Sequence, residues 1–97
     1  MDDFKAIKRK ILSIKDELRR DFGVEEIGIF GSFVEGRPHV GSDLDILVEF
    51  QETPGFFKFL ELEERLTQFL GIRVDLATRS ALKPRIGRRI LGQIVFV

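Results

Sequence analysis

The chain has 97 residues with no cysteine, 33% charged and 43% hydrophobic residues, and a formal net charge of zero. This length supports one domain spanning residues 1–97, and a domain so small spends nearly every apolar run on its core. Zero net charge argues against a general polyanion binder, which needs a basic excess to release counterions from a phosphate backbone. Without cysteine there is no disulfide framework or thiolate metal site, which fits a cytoplasmic setting.

The first residues mix Asp2, Asp3, Lys5 and Lys8 with scattered apolar positions, a pattern that predicts neither a signal peptide nor a spanning helix, and hence no membrane contact. Apolar residues then recur at Phe4, Ile7, Ile11, Ile14, Leu18 and Phe22, steps of three and four that predict one helix from Phe4 to Phe22 packing by a single stripe. Gly23 ends it, and its basic residues read as solvated charge. Val24 to Phe30 reads as a strand running into Gly31 and Ser32, with a short helix through Phe33, Val34, Glu35 and Gly36.

The segment Asp43 to Phe50 has the sharpest alternation, with Leu44, Ile46, Val48 and Phe50 on one face and Asp43, Asp45, Leu47 and Glu49 on the other. Thr53 as N-cap and Pro54 in the first turn introduce an apolar helix, Phe56 to Leu70, closed by Gly71. Ile72 to Ala77 is a third strand, with Asp75 on its polar face. A short basic helix over Lys83 to Leu91, weakened by Pro84 and Gly87, and a last strand over Ile94 to Val97 complete the pattern. The fold class is α/β (α+β), a mixed sheet with flanking helices.

Aspartates at i and i+2 on a strand lie about 7 Å apart and project to one side, so their oxygens can converge on hard cations. Without a cation they repel, and one carboxylate pKa is raised. Gly31 and Ser32 sit where a strand turns into a short helix, so free N–H groups and the Ser32 hydroxyl can meet phosphate. The loop from Arg37 to Ser42 returns the chain to the aspartate strand, placing a phosphate cradle beside a metal platform whose natural occupant is magnesium with a triphosphate. If the strand of Asp75 adjoins that of Asp43 and Asp45, three carboxylates can hold two metals about 4 Å apart, a geometry suited to in-line phosphoryl transfer.

Gly31-Ser32, ten intervening residues, then Asp43-Leu44-Asp45, with Asp75 on a later strand, resembles the polymerase-β-type nucleotidyltransferase superfamily and most nearly its minimal nucleotidyltransferase branch. Gly36, Ser42 and Leu47-Val48-Glu49-Phe50 resemble that branch too. The resemblance implies a palm-like mixed sheet, two Mg2+ ions, ATP or another nucleoside triphosphate as substrate, and pyrophosphate release. By it, Asp43, Asp45 and Asp75 are the catalytic and metal-binding residues, and Gly31, Ser32 and Ser42 bind the nucleotide. Several members resembling this chain are encoded with HEPN-domain toxins, which they neutralise by adding AMP, so a HEPN-type toxin is the expected partner. Such sequences usually carry a basic residue just before the inner glycine; here Glu35 stands there and Arg37 follows Gly36.

Simpler readings stand beside these. The aspartate pair can be solvated acids, Ser32 a plain N-cap, and Asp75 an ion-pair partner of Arg73 or Arg79. His39 is the only histidine and sits in a loop with no positioned partner, which disfavours a serine hydrolase. Most of Phe56, Phe57, Phe59 and Phe69 are expected in the core, while Phe57, Leu62 and Phe69 widen the apolar face and favour a homo- or hetero-oligomeric contact. The rival to an enzyme is a binding module that neutralises a partner through the basic stretch from Arg79 to Arg89 and the apolar helix face.

Overall fold

The computed structural model describes residues 4–36, 41, 43–81 and 92–97. The basic helix expected over Lys83 to Leu91, and Ser42, expected to bind the nucleotide, lie outside the described residues. Helices α1 (Phe4–Ser13) and α2 (Lys15–Phe22) lead into β1 (Val24–Phe30), followed by a 3-10 turn (Gly31–Phe33), β2 (Leu44–Phe50), α3 (Phe56–Leu70), β3 (Val74–Thr78), a second 3-10 turn (Arg79–Ala81) and β4 (Val95–Phe96).

The helix expected to run unbroken from Phe4 to Phe22 is two helices. Ser13 Oγ donates back to the Lys10 carbonyl at 2.6 Å, and Ile14 leaves helical geometry at φ −115°, ψ 9°. A serine hydroxyl that competes for a backbone acceptor in this way bends or breaks a helix. The apolar stripe survives the break, because Ile7, Ile11, Ile14 and Leu18 are all buried.

Helix α3 begins at Gly55, not at a Thr53 cap: the Gly55 carbonyl accepts the first helical N–H, from Phe59, at 3.0 Å, and no side chain caps the end. Leu62, Leu66 and Leu70 face the core, each contributing about 1.5–3 kcal/mol through burial. Phe59 and Phe69 pack at its margin. Phe56 and Phe57, expected mostly in the core, are 70% and 83% exposed, since at about 100° per residue both fall off the leucine stripe, Phe57 on the opposite side of the helix.

The strands form one mixed sheet in the order β3-β2-β1-β4. β1 is antiparallel to β2 and β4, and β2 is parallel to β3. Ile27, Ile29, Leu44, Ile46, Val48, Val74 and Leu76 share a cluster with the helix residues Ile7, Ile11, Leu18, Leu62, Leu66 and Leu70. Helices α1, α2 and α3 therefore cover one face. The period of two then sends Asp45, Leu47, Glu49 and Asp75 to the opposite face, where Leu47 is nonetheless buried. β3 starts two residues later than the alternation predicts but keeps its faces: Val74 and Leu76 buried, Asp75 exposed.

Candidate active site

Two pairings gather the acidic residues. Asp45 lies opposite Phe30 in the antiparallel ladder and opposite Asp75 in the parallel one, so it occupies the middle of three neighbouring strands. Asp43 stands immediately before β2. The adjoining of the Asp45 and Asp75 strands, on which the three-carboxylate reading depended, is present in the sheet.

The electrostatics follow from this placement. Burial, then the charge of Asp75, then that of Asp43 push the Asp45 carboxyl up to about 6. Asp45 is half-buried and Asp75 exposed, so the cluster opens to solvent on the side of β3. Among the described residues no three acidic or histidine side chains are drawn together tightly enough to hold an ion as they stand. The donor set nonetheless fits a hard divalent cation, because oxygen ligands and concentrated negative charge are what such ions take.

Gly31 packs against the Asp45 carboxylate. It sits at φ +80°, and a Cβ built there would overlap the Asp45 carboxylate. Glycine is thus required twice, by backbone geometry and by the carboxylate packed against it. Val34 and Glu35 both donate to the Gly31 carbonyl at 3.1 Å, closing a tight turn whose first N–H groups have no intrahelical acceptor. Ser32 lies inside this turn, half-buried; the residue in the N-cap position is Phe30, which rules out a capping role for Ser32.

Arg79, offered in sequence as a partner for Asp75, instead bonds Glu49 at 3.0 Å. The two border a cleft of about 540 Å³ together with Glu25, Thr53, Thr78 and Ser80. Glu49 is four residues along β2 from Asp45, about 13 Å, and the cleft contains none of the three aspartates. The aspartates and the Gly31 turn thus lie at the other end of β2 from this cleft. Sequence reasoning missed the Gly31–Asp45 contact and the Glu49–Arg79 pair, since strand order alone brings their members together.

The chain matches the nucleotidyltransferase domain family model over residues 11–97. It is 53% identical over 83 residues to protein adenylyltransferase MntA of Thermococcus cleftensis, an alignment covering 86% of this chain and 84% of the relative. A solved candidate minimal nucleotidyltransferase superposes with a TM-score of 0.82 at 28% identity, over 97% of this chain and 95% of the other. A toxin–antitoxin structure with AMP-PNP gives a TM-score of 0.75 at 27% identity, over 92% of this chain and 70% of that one. By the match to the family model and the identity to these relatives, the chain belongs to the nucleotidyltransferase domain family and is a nucleotidyltransferase.

Proposed function

We propose that the chain moves AMP from ATP onto a hydroxyl of a HEPN-type toxin and so acts as its antitoxin. The observation that carries this is the register of Asp45 against Asp75 on the open face of the sheet, with the Gly31 turn packed against Asp45. The name of the T. cleftensis relative supports adenylyl transfer to protein, and AMP-PNP in a related toxin–antitoxin assembly supports an adenosine triphosphate.

In this reading Asp43, Asp45 and Asp75 hold the divalent metal, two Mg2+ ions at full occupancy, while Gly31, Ser32 and Ser42 hold the triphosphate. When bound, magnesium supplies charge neutralisation at the phosphates and a more acidic acceptor hydroxyl. The acceptor oxygen attacks the α-phosphorus, the bond to the bridging oxygen breaks, pyrophosphate leaves, and the hydroxyl proton passes to the Asp75 carboxylate. Asp75 suits that step because it is the exposed member of the cluster and so the one open to an incoming acceptor. The chain has no tyrosine, so a tyrosyl acceptor comes from the partner.

A second reading is neutralisation by contact alone, favoured by the exposed Phe56, Phe57 and Leu60 on α3. Incubation with magnesium, α-labelled ATP and the toxin separates the two. Label on the toxin with wild type but not with Asp43→Ala supports transfer; full neutralisation by Asp43→Ala without label supports contact.

A further inference from the structure

β3 is the outer strand of the sheet among the described residues, and in a parallel ladder alternate residues turn their N–H groups away from the partner strand. The Leu44 N–H donates to the Arg73 carbonyl at 2.8 Å, and Asp45 stands against Asp75. Arg73, Asp75 and Ala77 therefore direct their backbone groups to β2, and the N–H groups of Val74 and Leu76 point outward.

An open sheet edge ordinarily leaves such donors to water or to a foreign strand. Here α3 takes both. Val74 N–H donates to Thr67 Oγ1 at 3.0 Å, and Leu76 N–H donates to Glu63 Oε2 at 2.9 Å. The spacings match: side chains one helical turn apart are about 6 Å from each other, and alternate residues of a strand are about 6.6 Å apart. Between the two clamped donors sits Asp75.

Asp75 also needs holding. Like charges directly opposite on neighbouring strands push those strands apart, and β3 is an edge strand of 5 residues with its ladder on one side only. We propose that Glu63 and Thr67 are positioning residues, which fix the Asp75 carboxylate opposite Asp45 by gripping the backbone on both sides of it. This rests on the reading of Asp45 and Asp75 as metal-holding residues. Neither Glu63 nor Thr67 touches substrate; both act through the β3 main chain. Val74 and Leu76 remain buried against the core, so loss of the grip loosens the strand without removing its apolar anchor.

The test uses the full chain with Mn2+ and a non-hydrolysable ATP analogue, reading metal affinity by electron paramagnetic resonance and β3 amide exchange by mass spectrometry. Glu63→Ala and Thr67→Val remove the acceptors; Glu63→Gln and Thr67→Ser restore an oxygen at each place. Expected are faster exchange in β3 and an affinity about tenfold weaker for the first two variants, with recovery in the second two. Faster exchange with wild-type Mn2+ affinity would overturn the proposal and leave the pair as shields of an open edge. If one deletion variant fails to fold, the other decides. Asp45→Asn serves as the control: Mn2+ affinity unchanged in that variant would sink the metal-site reading itself, whatever Glu63 and Thr67 do.

Discussion

Replacing Asp45 by asparagine should make the metal-free protein more stable, and the size of the gain can be worked from the structure. In the folded chain burial, Asp75 and Asp43 raise this carboxyl from 3.8 to about 6. At about 1.36 kcal/mol per pKa unit the ceiling is about 3 kcal/mol, and partial exposure screens it to about 1–2 kcal/mol. Because the native state binds the proton more tightly than the unfolded chain, the contribution is favourable below about pH 4 and is lost as pH rises to about 6. An uncharged asparagine escapes that loss. For a chain this short, unfolding entropy near the midpoint is about 0.2 kcal/mol per degree, so Asp45→Asn in chelator at pH 7.5 should melt about 5–10 °C above wild type.

The advantage should shrink toward zero as the pH approaches 4. Adding magnesium and ATP should reverse the order, since ligand at about 100 times its Kd stabilises wild type by about 2.7 kcal/mol and the variant has lost a ligand-holding group. Calorimetric melts across pH, with and without magnesium ATP, provide the measurement. A variant less stable than wild type in chelator, or a gap that does not change with pH, would refute the reasoning, because Asp45 would then be a stabilising structural acid.

Gly31→Ala should cost about 1–3 kcal/mol of stability from the left-handed backbone alone, and should also abolish the magnesium ATP increment in Tm because the new methyl group displaces the Asp45 carboxylate; calorimetry of the same four samples checks both effects. Phe57→Ser, at a side chain 83% exposed, should leave the chain's own stability within about 0.5 kcal/mol while weakening the complex with a toxin partner by more than about 1 kcal/mol if the α3 tip is an anchor. Thermal melts and calorimetric titration of the complex measure the two quantities.

The elements and the acidic cluster were legible in sequence for separable reasons. Period-two alternation from Asp43 to Phe50 forecast which side of β2 the acids occupy, because that pattern is local, but the buried side of α3 was misjudged: Leu62, expected to widen an apolar contact face, lies fully in the core with Leu66 and Leu70. The break at Ile14 escaped, since a hydrogen bond from Ser13 to Lys10 leaves the apolar periodicity untouched. Phe56 and Phe57 misled because hydrophobic character does not fix which side of a helix a residue occupies, and both fall off the leucine stripe. The fixed spacing from Gly31-Ser32 to Asp43 and Asp45 pointed to these residues as a group, but not to the contact that forbids a side chain at position 31. That contact, and the hold of Glu63 and Thr67 on β3, depend on which strands become neighbours.

The most direct measurement is a crystal structure of the chain with manganese and a non-hydrolysable ATP analogue, with the metal located by anomalous scattering. Manganese between the carboxylates of Asp45 and Asp75, with the triphosphate against the Gly31 turn, is the expected result. Metal and phosphates seated instead in the cleft beside Glu49 and Arg79 would contradict the assignment.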